Sequence, residues 1–83
     1  HTDDLPVLPG SRFRDNWELS AGRALSVLRY FTEAKGLDER RFEVAGYADT
    51  RPVAPNSSEE NRQLNRRVEI IVHRQFRTTD GTV

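Results

Sequence analysis

Cysteine and methionine are both absent from this 83-residue chain. Without cysteine there is no disulfide framework and no thiolate chemistry, which suits a reducing cytosol and a disulfide-free periplasmic domain equally. No apolar run approaches the length of a membrane span, and nothing reads as a signal peptide. With no methionine even at its start, the chain reads as an excised segment whose targeting or anchoring element lies outside it. An excess of one charge is lacking too: 13 basic and 13 acidic residues cancel. That balance argues against a general polyanion binder, whose affinity comes from phosphate neutralisation. Lysine is nearly missing, with Lys35 the one exception among the 13 basic residues. Arginine makes planar, two-pronged contacts with carboxylates, so the bias favours carboxylate recognition, although a GC-rich genome gives the same bias.

What is present suffices for one small domain or a piece of one. Hydrophobic residues make up 35% of the chain and include four Phe, two Tyr and one Trp, enough for a modest core of marginal stability. Residues 1–14 read as loop, punctuated by Pro6, Pro9 and Gly10. Asp15 or Asn16 caps a helix that runs from about 16 to 35 and stops at Gly36. Its helical spacing predicts a buried stripe of Trp17, Ala21, Ala24, Leu25, Leu28 and Phe31. Residues 42–47 alternate as a strand, with Gly46 allowing close backbone approach. An irregular loop over 49–56 leads to a capping box, Ser57 with Glu60, and a short helix through about Leu64. Residues 67–76 alternate as a second strand, with Val68, Ile70 and Val72 on one face. A polar tail over 77–83 is expected to fray. Two strands make a thin sheet, so further strands are expected upstream.

The chemistry concentrates at the start of the long helix. Asn16 and Arg23 stand seven residues apart, about two helical turns, and so near one face. They follow a loop that begins His1-Thr2-Asp3-Asp4, so an acid, an amide and an arginine converge there. That is a binding constellation for a small charged ligand. Each residue also has a plain structural account. Asp3 alone reads as a loop acid, Asn16 as a helix cap, Arg23 as a solvated helix arginine and Arg66-Arg67 as a solvated pair before a strand. Trp17 reads as core and His73 as packing or surface. His1 with two adjacent acids makes a poor metal site, so no metal and no cofactor are expected.

Three segments together carry a resemblance: His1-Thr2-Asp3, Asn16 to Arg23, and Asn65-Arg66-Arg67-Val68-Glu69-Ile70. With Gly46-Tyr47 and Arg51-Pro52-Val53-Ala54-Pro55-Asn56, they resemble the C-terminal half of an OmpA-like domain, the peptidoglycan-binding module of the OmpA/MotB family. Trp17 within Asn-Trp-Glu-Leu-Ser is more similar to the flagellar-stator members than to the OmpA or Pal types. The resemblance implies an α+β fold, a two-layer αβ sandwich over residues 1–76, with its N-terminal strand-helix-strand portion missing here. It implies non-catalytic binding of the diaminopimelate-containing stem peptide, with Asp3 meeting the side-chain ammonium and Arg23 clamping the side-chain carboxylate. Thr2, Asn16, Leu19 and Arg66 match positions lining the same pocket. It further implies a periplasmic domain, a homodimer, and a stator partner in the inner membrane reached through a segment outside this chain. The alternatives are an OmpA- or Pal-type anchor between outer membrane and wall, and a cell-wall-active enzyme. The enzyme is disfavoured because Ser20 has no nearby His in sequence and no two acids stand apart as a catalytic pair. RNA binding is disfavoured by the charge balance and by the lack of a surface aromatic pair on 42–47.

Overall fold

The computed structural model describes residues 1–73, so the end of the expected second strand and the 77–83 tail lie outside the described residues. Asp15 caps helix α1, Asn16–Arg29, by accepting from the Glu18 amide at 2.9 Å. Glu18 answers by accepting from the Arg14 amide at 2.9 Å, which places an acid at the positive end of the helix dipole. The helix continues as a π-turn, Tyr30–Ala34, and closes at Gly36, whose φ of +69° is in the left-handed region. The Leu37 amide donates back to the Phe31 carbonyl at 3.0 Å. The helical run thus ends within a residue of the expected boundary.

Its buried face differs from the expected stripe. Ala24, Leu25, Leu28 and Phe31 are half-buried and Val27 joins them, but Ala21 is exposed and Trp17 is 55% exposed. Trp17 is therefore not core. The first turns of α1 pack through small and polar groups instead. Ser20 is buried, donates its hydroxyl to the Trp17 carbonyl and accepts from the Ala48 amide, both at 3.1 Å. Gly46 lies so close that an added Cβ would stand 2.7 Å from the Ala21 nitrogen.

Helix α2, Glu59–Asn65, is capped by Ser58, which accepts from the Asn61 amide at 3.2 Å. The expected cap at Ser57 is thus displaced by one residue, with Ser58 in the extended cap conformation. The last residue of α2, Asn65, is fully buried and ties the 53–56 loop in place. Its Oδ1 accepts from the Val53 and Ala54 amides at 2.8 and 3.1 Å, and its Nδ2 donates to the Ala54 carbonyl and to Asn56 Oδ1, both at 2.8 Å.

The sheet layer departs most from expectation. Among the described residues, 42–47 and 67–73 form no β-ladder with each other, so the expected αβ sandwich is not seen there as a paired sheet. Backbone contacts hold those stretches in place at both ends. His1 exchanges both backbone hydrogen bonds with Arg67, at 2.8 and 3.3 Å, while the Thr2 amide donates to the Ala48 carbonyl at 2.8 Å. His1-Thr2 is therefore wedged between them at one end. At the other end the His73 amide donates to the Arg41 carbonyl at 3.0 Å.

Burial, then the guanidinium groups of Arg67 and Arg23, lower the pKa of the His1 α-amino group, against the Glu69 carboxylate, which raises it. Between that lowered pKa and the ordinary α-amino value of about 8, the unfolded chain binds more protons than the folded one. Stability of the 83-residue chain should therefore rise as pH climbs toward about 8 and level off above it. Thermal melts across that range check this, and N-terminal acetylation should remove the trend. A trend unchanged by acetylation would assign it to another group.

Candidate functional site

The loop from Thr2 to Ser11, the first turns of α1 and the end of α2 enclose a cleft of about 610 Å³. Thr2, Asp3, Asn16, Leu19, Arg23 and Arg66 all line it. The structure thus brings together every candidate residue read from the sequence, but gives them different kinds of work.

Thr2 and Asn16 build the loop. Thr2 is buried and its hydroxyl donates to the Asp3 carbonyl at 2.8 Å. Asn16 is not the cap; its Nδ2 donates to the carbonyls of Leu5 at 2.9 Å and Asp3 at 3.4 Å, anchoring the loop onto α1. Leu19 contributes a half-buried apolar wall one turn further on.

Asp3 supplies a fixed anion. Its side chain is only 8% exposed; Oδ1 accepts from the Leu5 amide at 3.0 Å and Oδ2 from Arg66 Nη1 at 2.7 Å. A carboxylate offers about four lone-pair positions, so two remain for a ligand donor. Arg66 also binds Glu59, and these two carboxylates, Glu59 first, raise the guanidinium pKa further above its ordinary value. Arg66 is therefore a strut between α2 and the loop, not a solvated basic residue. Arg23 is the contrast. It is exposed and carries no hydrogen bond or ion pair among the described residues.

Sequence reasoning missed two contributors. Glu59 lies seven residues before Arg66, about two helical turns, and that spacing was the available signal. The apolar loop Leu5-Pro6-Val7-Leu8-Pro9 also lines the cleft, with Leu8 79% exposed. Its unusual hydrophobicity for a loop was legible in the sequence.

A fixed carboxylate and an unengaged guanidinium line one cleft beside an apolar lip, an arrangement whose opposite charges suit a ligand carrying both. Ser20 does not add a nucleophile, since its hydroxyl is buried and committed at both donor and acceptor. The OmpA family model matches residues 1–66, and the chain belongs to the OmpA family. It is 40% identical over 72 residues to Motility protein B of Bacillus subtilis, covering 87% of this chain and 27% of that protein. It is 44% identical over 79 residues to YtxE of the same organism, covering 95% of this chain and 32% of that protein. A crystal structure of a MotB-like protein from Desulfovibrio vulgaris superposes with a TM-score of 0.80 at 44% identity, covering 94% of this chain and 48% of that one. The chain thus spans about a third or less of these curated relatives and about half of the solved structure.

Proposed function

We propose that this cleft binds peptidoglycan without catalysis, through the zwitterionic end of a diaminopimelate-containing stem peptide. The observation that carries this reading is the pairing of a buried, oriented Asp3 with an unengaged Arg23 on one cleft. Asp3 takes the side-chain ammonium and Arg23 takes the side-chain carboxylate, each through charge-assisted hydrogen bonds. Asn16 and Thr2 act by holding the loop, and Arg66 acts by orienting Asp3. Such a site is weak alone, but a wall polymer repeats its stem peptides, so linked copies hold by effective concentration. The similarity to motility proteins favours an anchor for a flagellar stator, in a periplasmic domain tied to the inner membrane by chain outside these 83 residues and acting as a dimer. No helix among the described residues is long and apolar enough to cross a membrane.

Co-sedimentation with purified sacculi tests the reading. Arg23→Ala should weaken retention about ten- to a hundredfold, since a hydrogen bond to a charged group is worth about 1.5–3 kcal/mol. Arg23→Lys should recover only part of it, because an ammonium lacks the planar fork. Free diaminopimelate should compete. Equal pelleting of wild type and Arg23→Ala would remove this pocket, and release of soluble muropeptides would point to an enzyme instead.

A further inference from the structure

The charged side chains lining the cleft do not balance. Asp3 is the one acid among them, against the two guanidinium groups of Arg23 and Arg66. That lining alone has one positive charge in excess, which favours a plain carboxylate and opposes an ammonium approaching Asp3. We infer, resting on the zwitterion reading of the cleft, that Glu59 sets its preference for a zwitterion by neutralising Arg66 from outside. Glu59 stands on the first turn of α2 and is not one of the lining residues.

Arg66 divides its fork between two acids. Nη1 donates to Asp3 Oδ2 at 2.7 Å, and Nη2 donates to Glu59 Oε2. With Asp3 as its only partner, Arg66 would form a neutral pair, and a ligand ammonium at Asp3 would meet the guanidinium charge as well. With Glu59 added, the three groups carry one net negative charge, so Asp3 keeps its attraction for a cation. The cleft and its outside acid then sum to zero: Asp3 and Glu59 against Arg23 and Arg66. A zwitterion fits that balance, with its ammonium at Asp3 and its carboxylate at Arg23.

The neighbouring acids are engaged elsewhere. Arg62 Nε donates to Asp4 Oδ1 at 3.2 Å. Glu18 accepts from the Arg14 amide and pairs with its guanidinium. Among the described residues, Glu59 is thus the acid outside the cleft that touches a charged residue lining it. Its side chain is 60% exposed, so water and salt damp its influence. Glu59 is therefore a specificity-setting residue that acts through Arg66, not a ligand contact.

The test titrates the protein with two soluble stem peptides. One carries diaminopimelate. The other carries 2-aminopimelate in its place, so its side-chain end keeps the carboxylate and lacks the ammonium. Glu59→Gln keeps the size and an acceptor oxygen and removes the charge. At about 0.1 M salt it should weaken the diaminopimelate peptide about three- to fivefold, and leave the 2-aminopimelate peptide unchanged or tighter. At about 1 M salt, where the screening length is about 3 Å, the loss should fall below about twofold. Glu60→Gln is the control, because it removes an acid from the same first turn that carries no ion pair among the described residues. It should leave both affinities as in the wild type. The Val53 and Ala54 amide signals, bonded to Asn65, report that α2 stays in place in each variant. Equal weakening of both peptides by Glu59→Gln would make Glu59 a structural brace and overturn the inference. So would a loss that persists at about 1 M salt, or an unchanged affinity at about 0.1 M. Wild-type protein that binds the two peptides equally, or neither, would overturn the zwitterion reading itself and this inference with it.

Discussion

Replacing Asn65 with alanine should lower the melting temperature by about 10–25 °C. Asn65 is fully buried and makes four hydrogen bonds, two accepted from the Val53 and Ala54 amides and two donated to Ala54 and Asn56. Alanine removes all four and leaves two backbone donors facing a void. An orphaned buried polar group costs about 1–3 kcal/mol, and water can recover part of that, so a net loss of about 2–4 kcal/mol is expected. In a domain of this size each kcal/mol moves the midpoint by about 4–8 °C. The loss should also loosen the 53–56 loop, since no other described side chain bonds the Val53 amide. Calorimetry or a thermal melt gives the answer. A shift under about 5 °C would mean that solvent replaces the amide and that the loop holds by other means.

Gly46→Val should be about as damaging, for a different physical reason. A Cβ at Gly46 would stand 2.6 Å from Ser20 Oγ, 2.7 Å from the Ala21 nitrogen and 3.0 Å from Ala21 Cα. Two of those atoms are helix backbone and cannot rotate away. The helix and the 42–47 stretch must therefore separate, which also stretches the Ser20–Ala48 hydrogen bond. Overpacking against yielding side chains costs about 1–3 kcal/mol, so against backbone the upper end of that range or more is expected. Gly22→Ala is the control. There the atoms nearest to a Cβ belong to the Phe13 ring, the closest at 2.6 Å, and a side chain can swing aside. Removing a helix-interior glycine gains up to about 1 kcal/mol, so that variant should be near neutral. Equal losses in both variants would show that backbone contact is not what distinguishes the two sites.

These two residues also show what could and could not be read from the sequence. The close approach at Gly46 was legible, because a glycine inside an alternating stretch signals it. The helix ends were legible from Asp15 and Gly36, whose capping chemistry is local. The grouping of the six candidate residues was legible, since all of them line one cleft. Their division of labour was not. Asn16 ties down the loop and Arg66 props Asp3, because each found a partner distant in sequence, at Leu5 and at Asp3 and Glu59. Periodicity reports which side of a helix a residue is on, not what meets it there. Trp17 failed for that reason, since the first turns of α1 face Gly46 and Ala48 across a polar contact. Asn65 gave no signal beyond its place in a motif. The sheet was legible only as alternation, because strand pairing is nonlocal; among the described residues His1-Thr2 lies between Ala48 and Arg67, and no ladder joins 42–47 to 67–73.

Among the described residues, the buried ones are Thr2, Asp3, Ser20 and Asn65, with Ala48 the one apolar member. Cohesion drawn from directed bonds does not carry the thermal signature of hidden hydrocarbon. Newly wetted apolar surface raises the heat capacity on unfolding, and newly wetted polar surface lowers it. A molecule fastened in this way has a shallow stability curve: cooling gains it little, and its midpoint depends on whether a few bonds keep their alignment.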